Sequence, residues 1–324
     1  MIQANALALP LENDSVDLII TSPPYFGLRN YLDEDAQIGQ EPHYKDFLDN
    51  LVAATAEMKR VLKESGSIWV NLGDKYANTG GHNNSNIGAD AKRGPSRYAK
   101  TPEMPSKTLM GLPWRYALRC MDELGLILRA EVIWNKPNGM PESVRDRVRR
   151  SHEQWFHFTL APRYFAEGLD DLREPHSTPA KGLTWDERKA KGFKGATRGA
   201  SVHLQPATDG NYARHPKGKL PGSVWTIPTE PLRVPQATKD ALELPTHFAA
   251  FPQEWPRRII SAFSAPGAVV LDPFCGSGTV PMVASALGRK GVGVDLAADY
   301  LRLADWRCHA SGHWAKTLER IERG

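Results

Sequence analysis

Cysteine is scarce: Cys120, Cys275 and Cys308 are the three in 324 residues, far apart and without paired metal-ligand spacing. A disulfide framework and a zinc site are thereby excluded, and reduced thiols are expected. His152, His157 and His247 likewise lack partners at metal-like spacing, so they read as core or surface histidines and no metal is expected. No apolar run approaches the roughly 18 residues of a membrane-spanning helix, and the N-terminus has no basic stretch followed by an apolar core and a small-residue cleavage site. A soluble, cytoplasmic protein without a membrane partner is expected. Excess charge is also missing: 41 Lys and Arg stand against 37 Asp and Glu, a net +4 that alone scarcely favours a polyanion. No internal repeat is visible.

What the chain does have is length for one large core or two modest ones, with 41% hydrophobic residues. From Asp17 to Ile20 a short apolar run leads into Thr21-Ser22-Pro23-Pro24-Tyr25, a buried strand ending in a loop that two prolines stiffen. Between Tyr44 and Lys63, Phe47, Leu51, Ala54, Met58 and Val61 recur every three or four residues, which predicts an amphipathic helix broken at Gly66. Ser67 to Leu72 is the next strand, so strand, helix and strand alternate as a parallel sheet requires. Tyr76 to Ser106, rich in Gly, Asn, Ser and basic residues, is a long insertion. A helix over Pro113 to Leu124 precedes strands at Ala130 to Trp134 and Trp155 to Leu160, expected as a hairpin-like pair at a sheet edge. Periodicity dissolves from about 165 to 244, an irregular region. A helix near Trp255 to Phe263, a strand at Ala268 to Leu271, a helix and a strand closing on Gly291 to Asp295 complete the chain.

Two segments carry chemistry. Asp272-Pro273-Phe274-Cys275-Gly276-Ser277-Gly278-Thr279 is a strand end, a glycine turn and a helix start, the way an open α/β sheet brings backbone amides to a small ligand. Pro281 occupies the place of the third small residue of a dinucleotide fingerprint, and no basic residue follows as a P-loop needs, so both of those readings weaken. Asp295 ends the next strand, at the offset where a carboxylate accepts hydrogen bonds from ribose hydroxyls. In Ser22-Pro23-Pro24-Tyr25 the fixed backbone leaves a hydroxyl and a proline carbonyl as placed acceptors beside an aromatic face. That set suits a planar amine whose lone pair is delocalised: acceptors drawing on its two N–H groups favour a tetrahedral nitrogen able to attack a methyl sulfonium in line.

With Ser22 to Tyr31, Met58 to Leu62 leading into Gly66 to Val70, Trp134-Asn135-Lys136-Pro137-Asn138-Gly139-Met140-Pro141, His247 to Pro252 and Asp272 to Thr279 in this order, the chain resembles the beta-class DNA amino-methyltransferases of bacterial and phage restriction-modification systems. The resemblance implies an α/β, Rossmann-like S-adenosylmethionine-dependent methyltransferase fold, a mixed and mostly parallel sheet with permuted motif order. Residues 1–164 would be the catalytic half, 165–244 an irregular target-recognition region and 245–324 the cofactor half. Ser22, Pro23, Pro24 and Tyr25 would be catalytic, with Tyr25 stacking on an extruded base. Asp272, Pro273, Phe274, Cys275, Gly276, Ser277, Gly278 and Thr279 would take the methionine side of S-adenosyl-L-methionine, Asp295 its ribose, and Phe251 and Pro252 its surroundings. Where the family commonly has Gly-Asp near the start, this chain has Ala4-Asn5, which puts a cofactor contact from Asn5 in doubt.

Members with Ser at the first catalytic position more often resemble cytosine-N4 enzymes, so cytosine is the expected base and adenine N6 the alternative. An RNA methyltransferase and an inactive DNA-binding homologue are the further readings. Double-stranded DNA is the implied substrate, a restriction endonuclease the implied partner, and the state a monomer or homodimer. Lys181 to Lys219 holds nine Lys or Arg against three Asp or Glu, with Trp185, Phe193 and Tyr212 among them. Lys189, Lys191, Lys194 and Arg198 there, together with Arg29, Arg145, Arg147 and Arg149, are the expected DNA contacts.

Overall fold

The structure, a computed structural model, describes residues 1–28, 37–77, 101, 103–139, 141–175, 217–244 and 250–309. Along these the elements are β1 (Ile2–Gln3), β2 (Val16–Thr21), α1 (Tyr44–Val61), β3 (Leu62–Leu72), α2 (Leu112–Leu124), β4 (Ile127–Asn135), β5 (His152–Thr159), β6 (Val224–Thr226), α3 (Gln236–Ala241), α4 (Glu254–Phe263), β7 (Val269–Asp272), α5 (Thr279–Ala286), β8 (Lys290–Asp295) and α6 (Ala298–His309). The chain divides into two units, one of Met1–Gly168 with Ser223–Gly324 and one of Leu169–Gly222. In the smaller unit, Glu174 and Lys219 form an antiparallel bridge, exchanging backbone bonds of 2.9 Å.

The larger unit is built on a sheet of order β1-β8-β7-β2-β3-β5-β4-β6. β5 runs antiparallel to both β3 and β4, and the remaining pairs are parallel. This is the mixed, mostly parallel α/β sheet expected, with the permuted order visible as β7, late in the chain, lying beside β2. Strand β2 reads as an almost unbroken apolar run because both its faces are covered: Val16, Leu18, Ile19 and Ile20 are fully buried. Burial of each such side chain contributes about 1.5–3 kcal/mol. On α1 the buried stripe of Phe47, Leu51, Ala54, Met58 and Val61 is the one its spacing predicts.

Two boundaries differ from the sequence expectation. Helix α1 stops at Val61, because Leu62 is already extended (φ −78°, ψ 133°) and pairs with Val16. Gly66 therefore lies inside β3, where it permits close approach: a Cβ there would fall 2.8 Å from the Asp17 carbonyl. The antiparallel pair β4–β5 is real but is not the edge, since β6 adds to β4 in parallel. Three residues, Val-Trp-Thr, gave too short a pattern to read. They are held by Trp134 Nε1, which donates to Ile227 O at 2.7 Å, and by the Asn138 side chain, which exchanges bonds with backbone Thr229 at 2.7 and 3.2 Å.

The insertion expected from Tyr76 to Ser106 has its flanks tied together by the Tyr76–Leu109 bridge and by Ala77 N donating to Thr108 O at 2.8 Å. Residues 78–100 and 102 lie outside the described residues. His157 is a core histidine, stacked on Trp69 at 4.3 Å and bonded to Ser67 Oγ at 3.1 Å. Burial pushes its pKa down to about 3, so it stays neutral. His247 falls outside the described residues, and His152 is exposed. Among the described residues no helix is long and apolar enough to cross a membrane.

Candidate active site

Neighbouring parallel strands with crossovers leaving in opposite directions open a crevice at their carboxyl ends. Here those strands are β2 and β7: α1 leads away from β2 to β3, and α5 leads away from β7 to β8. Ser22–Tyr25 follows β2 and Pro273–Gly278 follows β7, so the two chemical segments come off one edge of the sheet. Thr21 Oγ1 donates to Asp272 Oδ1 at 2.7 Å, a buried bond between residues 251 positions apart.

The loop after β2 is held by side chains. Asn71, at the end of β3, donates from Nδ2 to Gln154 O at 3.0 Å, which turns its Oδ1 toward the loop. That oxygen accepts from Ser22 Oγ at 3.3 Å and lies 2.9 Å from Tyr25 OH. With its proton engaged by Asn71, Ser22 Oγ presents lone pairs as an acceptor. Tyr25 OH also lies 2.9 Å from Glu153 Oε2, and Glu153 Oε1 pairs with Lys136 Nζ at 2.5 Å. Because β5 is antiparallel, its first residues share the edge with the last residues of β3 and β4, and that puts Glu153, Asn71 and Lys136 together. Lys136 stands 4.0 Å over the Trp134 ring. A Cβ on Gly73 would come 2.6 Å from Tyr25 Cε2, so only glycine leaves the ring where it is.

The turn after β7 is held by backbone shape and burial. Gly276 and Gly278 have φ of +45° and +76°, conformations that side chains rarely adopt. At Gly278 a Cβ would also meet Ala304 Cβ at 2.6 Å, so α6 packs directly on the turn. At Gly276 the nearest atom is 4.0 Å away, leaving room on the face where a ligand needs it. Close helix–strand packing, missing at Pro281 by the dinucleotide rule, comes from Gly291 instead, whose Cβ would lie 2.3 Å from Pro281 O.

Asp272 Oδ1 accepts from Thr21 and, at 3.1 Å, from Phe274 N; burial nevertheless pushes its pKa up to about 7. Asp295 accepts from Gly276 N at 2.8 Å and Ala297 N at 3.0 Å, and burial raises it too. Pro273 and Cys275 are buried parts of the turn, and burial raises the Cys275 thiol; Phe274 is half-buried. Phe251 lies edge-on to Trp155 at 5.6 Å, and Pro252 O accepts the amide of Trp255 at 3.2 Å, near the start of α4.

Of the expected DNA contacts, Arg145 and Arg149 are exposed. Arg147 turns inward, donating to Glu142 at 2.7 Å with its guanidinium 3.8 Å over Tyr76. Between them Val148 is 88% exposed. Arg29, Lys189, Lys191, Lys194 and Arg198 lie outside the described residues. Sequence reasoning missed Asn71, Gly73, Lys136, Glu153 and Arg307. Lys136 and Gly73 flank readable motifs; the others carry no local signal.

A methyltransferase-type α/β fold with an acceptor loop and a glycine turn on one edge defines the class. The DNA methylase family matches residues 16–305. Type II methyltransferase M.XycI of Xanthomonas campestris pv. cyanopsidis is 38% identical over 91% of this chain and 81% of its own length, and M.SmaI of Serratia marcescens is 34% identical over 92% and 85%. The fold is shared with PvuII DNA methyltransferase (cytosine-N4-specific), with TM-score 0.61, 18% identity and coverage of 99% and 92%. It is shared also with a DNA modification methylase of Thermus thermophilus, TTHA0409, in complex with S-adenosyl-L-methionine, with TM-score 0.53, 22% identity and coverage of 98% and 93%. The chain belongs to the DNA methylase family and is a DNA amino-methyltransferase of restriction-modification type, for cytosine N4 or adenine N6. S-adenosyl-L-methionine is the methyl donor of this family.

Proposed function

We propose that this chain methylates the exocyclic N4 amine of cytosine at a specific site in double-stranded DNA, by base flipping and direct in-line attack. The observation that carries the choice of base is Ser22 at the first catalytic position, its hydroxyl oriented by Asn71. PvuII methyltransferase, whose fold this chain shares, is cytosine-N4-specific.

The cofactor is assigned to the turn after β7. The fit rests on the open face at Gly276, the buried hydroxyls of Ser277 and Thr279, and Asp295 fixed at the adjacent strand end. S-adenosyl-L-methionine, when bound, supplies a methyl group on a positively charged sulfur. The amine donates one N–H to Ser22 Oγ and the other to the Pro23 carbonyl, which localises its lone pair. That pair forms the new N–C bond as the C–S bond breaks and its electrons pass to sulfur; the spare proton on nitrogen leaves to water. Tyr25 stacks on the extruded base, its hydroxyl anchored by Glu153 and Asn71. Exposed Arg145 and Arg149 and the basic stretch of 181–219 serve the phosphates. The unit of Leu169–Gly222 belongs to target recognition.

The test incubates the protein with methyl-labelled cofactor and unmethylated genomic DNA, then digests to nucleosides. N4-methyldeoxycytidine is expected. N6-methyldeoxyadenosine overturns the base, and label in RNA or protein but not DNA overturns the substrate.

A further inference from the structure

Ser277 sits inside the cofactor turn and Thr279 opens α5; their side chains belong to residues only 3% and 4% exposed. Arg307, itself 3% exposed, reaches both from α6. One nitrogen, Nη1, donates to Ser277 O at 2.6 Å, Ser277 Oγ at 2.9 Å and Thr279 Oγ1 at 3.0 Å. Its Nε is buried with no hydrogen-bond partner, and among the described residues Arg307 makes no ion pair. A buried guanidinium without a counter-charge is costly, so the arrangement calls for an anion.

The hydroxyls say where that anion belongs. An oxygen that accepts from a guanidinium keeps its own proton to give away. Among the described residues neither Ser277 nor Thr279 gives that proton to a protein acceptor. Two hydroxyl donors thus stand at the start of α5, where the first amides also lack intrahelical acceptors and the helix dipole favours negative charge. A carboxylate has two oxygens to match them.

We propose that Arg307 is a positioning residue for the carboxylate at the methionine end of the cofactor: it fixes the Ser277 and Thr279 hydroxyls as outward donors and stands behind them as the buried counter-charge. The proposal rests on the assignment of the cofactor to this turn. It gives the turn a part that its own eight-residue string lacks, supplied from 28 residues beyond Thr279.

Two ligands separate this role from general support of the fold. S-adenosylhomocysteine carries the carboxylate, and 5′-methylthioadenosine lacks the amino-acid end. Calorimetric titration of the full-length protein should show Arg307→Met weakening S-adenosylhomocysteine on the order of tenfold to a hundredfold, the scale of a lost charge-assisted bond, with 5′-methylthioadenosine changed less than about twofold. Arg307→Lys should fall between. Should Arg307→Met not fold, Thr279→Val carries the same test, with the same selective loss expected. Equal loss of both ligands, or no loss of S-adenosylhomocysteine, overturns the proposal. Asp295→Ala distinguishes the two failures: if it weakens neither ligand, the placement of the cofactor at the turn falls, whereas if it weakens both while Arg307→Met weakens neither, only the role of Arg307 falls.

Discussion

The loop after β2 and the turn after β7 leave the sheet side by side, yet they are stabilised in different ways. Ser22 and Tyr25 are positioned by polar side chains from β3 and β5, through Asn71 and through Glu153 with its Lys136 partner. The turn of Asp272 to Thr279 is positioned by two left-handed glycines, direct packing of α6 at Ala304 and buried carboxylates with raised pKa values. One half is a set of aimed acceptors and the other a shaped cradle. Substitutions should therefore damage transfer and cofactor binding separately, with Thr21–Asp272 as the direct hydrogen bond between the halves.

The largest separation is expected for Tyr25→Ala, which removes the stacking face without touching the turn. Methyl transfer should fall on the order of a hundredfold or more, from lost stacking and misplaced geometry, while cofactor affinity changes less than about threefold. Gly278→Val is the converse. Its Cβ would meet Ala304 at 2.6 Å in a left-handed backbone, so roughly 2–5 kcal/mol of stability should be lost in denaturant titration, with cofactor affinity falling in step.

How much of this was legible in the sequence follows the same division. The cradle is local: glycines, Asp272 and Thr279 lie within one string, and the chain itself dictates the turn, so its residues were readable. The acceptor loop was readable as Ser-Pro-Pro-Tyr, but its supports come from strands whose adjacency only the fold decides. Glu153 reaches Tyr25 because β5 is antiparallel, and no spacing along the chain encodes that. Arg147 shows the opposite error of local reading: an arginine in a basic run is spent on Glu142 and Tyr76 within its own loop. Strand β6 was hidden by brevity, and α1 overran because Leu62 and Lys63 continue a helical pattern that pairing with Val16 overrides.

Smaller effects sharpen the comparison. Glu153→Gln keeps a hydrogen-bonding group near Tyr25 but leaves Lys136, a largely buried cation, without its partner. Stability should drop by about 1–3 kcal/mol, and transfer should slow on the order of tenfold at unchanged cofactor affinity. Unchanged transfer would mean that Tyr25 does not depend on this support.

Asp272→Asn reports on the buried carboxylate through pH. The folded pKa is raised from 3.8 to about 7, so the folded state holds a proton that the unfolded chain releases. Its stabilising contribution is full below about pH 4 and is lost as pH rises through 7. Asn mimics the protonated form, so the stability of the parent protein relative to Asp272→Asn should decline from pH 4 to pH 8 in denaturant titrations. A flat difference would place Asp272 among ordinary carboxylates.

The most direct test of the separation measures single-turnover methyl transfer at saturating cofactor and DNA beside cofactor affinity, in Tyr25→Ala and Gly278→Val. The structure predicts a crossed result: Tyr25→Ala loses transfer and keeps affinity, while Gly278→Val loses affinity and recovers most of its transfer once saturated. Parallel loss of both quantities in both variants would contradict two independently built halves meeting at one edge of the sheet.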